Sequence, residues 1–92
     1  MDPYAQAISR IIKEQQAIIG PMAVEQAKKV NGLQISSVDD VKITGNRKDV
    51  LNNLVNQYAT LFGQASIEVC KEAFSSVSSK IPASDVPDAL KS

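Results

Sequence analysis

The stretch YATLFGQASIEVCKEAF, residues 58–74, decides the architecture of this chain, because it reads as the middle of a helix and yet carries Gly63 near its centre. Around it Val50, Leu51, Leu54, Val55, Tyr58, Leu61, Phe62, Ala65, Val69, Ala73 and Val77 recur close to the 3.5-residue period of an apolar helix seam. The spacing predicts one long helix over about residues 47–79, roughly 50 Å from end to end. A glycine inside a helix costs about 1 kcal/mol relative to alanine, so its presence needs a reason. Ala59, Gly63 and Ala65 are small enough to let another helix approach closely, a packing gain that offsets the penalty. The other reading is a break at Phe62-Gly63, giving two shorter helices folded back on each other within one monomer.

From Val50 to Ile67 the segment carries no charge, and it shows Asn52, Asn53, Asn56, Gln57, Thr60 and Gln64 where an exposed helix normally shows Lys and Glu. Such depletion of charge is characteristic of interface cores. The helices upstream are too short to cover every apolar face of so long a partner. The expectation is a two-fold homodimer, an intertwined helical assembly whose long helices cross near Gly63. Its interface is expected at Leu54, Tyr58, Leu61, Phe62, Gly63, Ala65 and Val69.

Working outward toward the N-terminus, Asp2-Pro3 is a helix-start signal: Asp accepts from the first free amides, and Pro lacks the amide that would go unpaired. The first helix is expected over about residues 3–19, with Tyr4, Ile8, Ile11, Ile12, Ile18 and Ile19 along one face. Gly20-Pro21 interrupts it, since glycine ends helices and the residue before proline is pushed out of helical geometry. A second helix over about 21–30 then leaves at a corner, with Lys28 and Lys29 suited to the negative end of its dipole. Residues 33–44 alternate apolar and polar around Ser37-Val38-Asp39-Asp40, the pattern of a short β-hairpin or of an extended linker. A lone hairpin is barely stable, so this one must lean on helices or on another chain. Asn46 is a candidate cap for the long helix, with Asp49 three residues on. Pro82 stops that helix, leaving residues 1–81 as one helical domain and 82–92 as a tail with room for a short final turn.

The periodicity describes a mainly helical chain, and the composition, cysteine count and N-terminal residues are read as those of a soluble intracellular protein. A hydrophobic share of 43% with 22% charged residues is that of a globular chain, and ten basic residues balance ten acidic ones. This balance argues against a nucleic-acid partner. The start of the chain lacks the plan of a signal peptide, and no apolar run is long enough to span a membrane, which points to the cytoplasm. One cysteine and no histidine remove the usual zinc and transition-metal ligand sets, and no cofactor is implied.

The remaining candidate chemistry is thin. Cys70 has no histidine to generate a thiolate, and Lys71 points elsewhere on a helix, so a buried, inert thiol is expected. TGNRKD, residues 44–49, sets Arg47 and Lys48 at a helix N-terminus, where an anion is favoured, but no P-loop spacing accompanies it and capping accounts for the residues. Lys28 and Lys29 could join Arg47 and Lys48 in a modest basic patch, without aromatic residues to stack bases. Glu68 and Glu72 lack the Glu-x-x-His partners of a di-metal bundle and are expected to face water beside Lys71.

The stretch IIGPMAVEQAKKV, residues 18–30, resembles the I-G-P-x-A entry of a small helical domain found at the ends of some bacterial signalling proteins, where an Ile-Gly-Pro corner joins two helices. The resemblance extends over residues 8–31. It implies a non-catalytic signalling or scaffolding module and supplies no site residues. Together these readings predict a helical module without enzymatic activity that acts by self-association and by docking a partner protein. The competing expectation is a small-ligand sensor whose helices enclose an apolar cavity.

Overall fold

The structure, a computed structural model, describes residues 2–75, 77–87 and 90. Helix α1 spans Pro3–Ile19 and α2 Met22–Ala27; strands β1 (Leu33–Ser37) and β2 (Asp40–Ile43) follow, then α3 (Arg47–Phe62) and α4 (Gln64–Ser75). Two single 3-10 turns, Ser78–Lys80 and Ala83–Asp85, carry the chain onward.

The helix starts follow the local chemistry. Asp2 accepts from the amides of Tyr4 and Ala5 at 2.9 and 3.0 Å, with Pro3 as the first helical residue. Asn46 accepts from the amide of Asp49 at 3.0 Å. Helix α2 stops earlier than its apolar stripe suggests. After Ala27 the amides of Lys29 and Val30 bond three residues back, to Gln26 and Ala27, and this tightening ends the helix.

Residues 33–43 form the hairpin. Leu33 pairs with Ile43 and Ile35 with Val41 across an antiparallel ladder whose turn is Val38-Asp39. Leu33 and Val41 are buried, and the Ser9 hydroxyl of α1 donates to the Val38 carbonyl. The hairpin therefore leans on its own chain's first helix, which supplies the support that two isolated strands lack.

The long helix predicted over 47–79 is two helices, and α4 ends at Ser75. Gly63 lies at φ 79° and ψ −160°, a region open essentially to glycine alone. There the chain turns back, so that α4 packs against α1 as well as α3. The break also moves the buried face. On α4 the inward positions are Ser66, Cys70, Ala73 and Phe74, not Ala65 and Val69. The seam seen in the sequence is thus two seams of different phase joined at a glycine.

One core unites the elements. Ile8, Ile11 and Ile12 of α1 meet Leu51, Leu54, Val55 and Tyr58 of α3 and Cys70, Ala73 and Phe74 of α4. Burying each large aliphatic side chain contributes about 1.5–3 kcal/mol. In the tail, Ile81 and Leu90 join this cluster and Tyr4 donates to the Asp85 carboxylate.

Candidate interaction site

The apolar surface gathers where the ends of α1 and α3 meet the start of α4. Ile18 and Ile19 come from the last turn of α1, Phe62 from the last residue of α3, and Ala65, Ser66 and Val69 from the first turns of α4. Together with Gln15 they line a groove of about 210 Å³. Ile18 is 65% exposed and Leu61 49%, and Met22 of α2 is the third large apolar side chain at the surface among the described residues. The apolar spacing sets Ile18 on the same face as Ile11 and Ile12, but in the structure it stands at the surface, at the last turn of α1, and no local pattern in the sequence marks it.

The seven residues expected at an interface divide across this structure. Leu54 and Tyr58 are fully buried in the chain's own core. Phe62 and Val69 are half-buried, whereas Leu61, Gly63 and Ala65 are exposed. The exposed and half-buried members are thus the ones at the break and on the first turns of α4.

Behind the groove lies a polar clasp. Gln15 is 1% exposed, and its side-chain amide donates to the Ser66 hydroxyl at 2.8 Å, the Ser66 carbonyl at 3.1 Å and the Cys70 sulfur at 3.4 Å. This clasp ties α1 to α4 through buried hydrogen bonds. Burial pushes the Cys70 thiol up to about 11, against a smaller opposing effect of the Gln15 hydrogen bond. The thiol is therefore protonated at neutral pH and a poor nucleophile. Tyr58, whose hydroxyl donates to the Ala23 carbonyl at 2.5 Å, is also shifted upward by burial and by the neighbouring Cys70.

Lys29 lines a polar groove with Asn31, Asn53 and Asn56, while Arg47 and Lys48 line another with Tyr4, Asn46 and Asp85. Arg47 is ion-paired with Asp2 at 3.5 Å. Glu68 pairs with Lys71 at 3.6 Å and accepts from Gln64 at 3.2 Å, and Glu72 is exposed. Among the described residues no three His, Cys, Asp or Glu side chains gather as a metal site would require, and no helix is long and apolar enough to cross a membrane. The chain matches no family model, no curated protein and no solved structure.

Proposed function

We propose that this chain is a non-enzymatic helical module that acts by self-association and, through the same face, by docking a partner protein. The observation that carries the reading is the exposure of Ile18 on α1 and of Leu61 on α3, together with the groove that Ile18 and Ile19 line with Phe62, Ala65 and Val69; of these, Leu61, Phe62 and Ala65 lie on the segment from Val50 to Ile67, which carries no charge. Charge-poor apolar surface of this kind is the composition of an interface core. The buried Cys70 thiol adds support, because it offers no ready nucleophile to a substrate. The Gly20-Pro21 corner between two helices is in keeping with a scaffolding role of the kind implied by the resemblance at residues 8–31.

The sensor reading draws less support. An apolar groove of about 210 Å³ is smaller than the roughly 300–1,000 Å³ of small-molecule sites. The Gln15 amide at its floor is already engaged by Ser66 and Cys70, which leaves little to orient a ligand.

Sedimentation of the wild-type chain beside Ile18→Glu tests the proposal. Ile18 is largely exposed, so a charge there leaves the core intact. The wild type is expected to gain mass with concentration and the variant to remain a monomer. A folded wild type that stays monomeric at all concentrations contradicts the proposal.

A further inference from the structure

The two corners of this fold share one geometry, but only one is locked. Gly20 ends α1 at φ 71° and ψ −151°, and Gly63 ends α3 at φ 79° and ψ −160°. Both glycine amides donate four residues back at 2.9 Å, and both glycine carbonyls accept from the amide three residues on at 3.1 Å. At the first corner Pro21 follows, and proline clashes with a continuous helix and removes its hydrogen bond. At the second corner Gln64 follows, and nothing in its chemistry forbids helix.

From these observations we infer that α3 and α4 open into one continuous helix at Gly63, so that two copies of the chain exchange α4 and the segment beyond it. The inference rests on the self-association proposed above and specifies its form. The exchange conserves the main contacts. The Gln15 bonds to Ser66 and Cys70 and the Tyr4 bond to Asp85 join residues 2–62 to residues 64–90, so each reforms between copies.

The helix phase supplies a second argument. At 100° per residue on a continuous helix, the buried positions of α4 are centred about 110° around from those of α3. One end of such a helix can therefore face its own body while the other faces the partner's. Leu61, Phe62, Ala65 and Val69 fall in line with the buried face of α3, extending it past the break. In the closed chain that extension is the partly exposed groove; in the open one it is an apolar ridge that a second copy covers.

Area points the same way. A patch of a few hundred Å², typical of the largest on ordinary monomers, falls short of the ~800 Å² per partner of a stable complex. Exchange adds the whole α1–α4 contact to the interface. The added surface is already complementary, because the closed chain uses it.

The test is a pair of substitutions measured by sedimentation and small-angle scattering on the full chain. A Cβ at Gly63 meets no atom within 4 Å, so Gly63→Ala acts only through the backbone: it penalises the closed corner and favours the continuous helix. Gln64→Pro copies the Gly20-Pro21 lock, placing proline at the first position of α4, where it is tolerated. Gly63→Ala is expected to tighten dimerisation about thirtyfold or more, counting helix propensity at two hinges. Its dimer should hold a helix of about 43 Å, longer than the 30 Å greatest extent of the closed chain. Gln64→Pro should remain a folded monomer.

A Gly63→Ala chain that stays monomeric, folded or not, overturns the exchange. So does a Gln64→Pro chain that dimerises as readily as the wild type. The latter result leaves self-association standing as docking of closed copies, whereas a wild type that never dimerises removes the proposed function itself.

Discussion

Gln15 and Cys70 show how a single polar contact fixes the fold. A glutamine in an aliphatic helix face would be costly if unpaired, yet Gln15 satisfies its amide on Ser66 and Cys70 and so determines where α4 sits. Gln15→Ala is expected to destabilise the chain by about 1–3 kcal/mol in a urea titration, because it strands buried partners as well as losing its own bonds. Cys70 yields a pH prediction. Its thiol titrates near 9.0 when unperturbed and near 11 when folded, so the folded chain holds the proton more tightly. The stability this provides is complete below about pH 9 and is lost as pH rises toward about 11. Urea midpoints of the wild type should therefore fall above pH 9, on the order of 1 kcal/mol per pH unit, while Cys70→Ala shows a smaller decline until Tyr58 begins to titrate. A flat wild-type profile across that range would refute the assignment. Little of this was legible in advance. Cys70 as a buried thiol followed from its missing partners, but the burial of Gln15 depends on α4 crossing α1, which no local pattern records.

At the scale of elements, the legible features are those whose cause lies within a few residues. Asp2-Pro3, Gly20-Pro21 and Asn46 mark boundaries because capping and proline geometry are local, and each occurs where that chemistry puts it. Asn46→Ala should cost about 1 kcal/mol, read as a lower thermal midpoint with an unchanged fold. The hairpin was legible as alternation but not as a certainty, since its support comes from α1 against β2 and α2 against β1 rather than from its own turn. The break at Gly63 was the harder case. Continuous helix and glycine corner both agree with residues 58–74, and the balance is tipped by Ser66, Cys70 and Phe74 finding a place against α1. A periodicity of 3.5 residues cannot reveal that two seams differ in phase when small side chains, Ala65 and Ala73, occupy positions acceptable to either.

For the molecule as a whole, the break changes what the apolar surplus does. Folding α4 back encloses Leu54, Tyr58 and Cys70 within one copy, while Ile18, Leu61 and the groove beside them remain at the surface. The face left uncovered is smaller than a long bare helix would give, and it lies beside the one corner without a proline. Leu61→Glu should leave the denaturation midpoint within about 0.5 kcal/mol of the wild type, as exposed positions do, and yet abolish association. The most direct measurement is sedimentation equilibrium of the unmodified chain across a wide concentration range. The account predicts a monomer that converts reversibly to a dimer as concentration rises; a single-chain mass held up to the limit of solubility contradicts it.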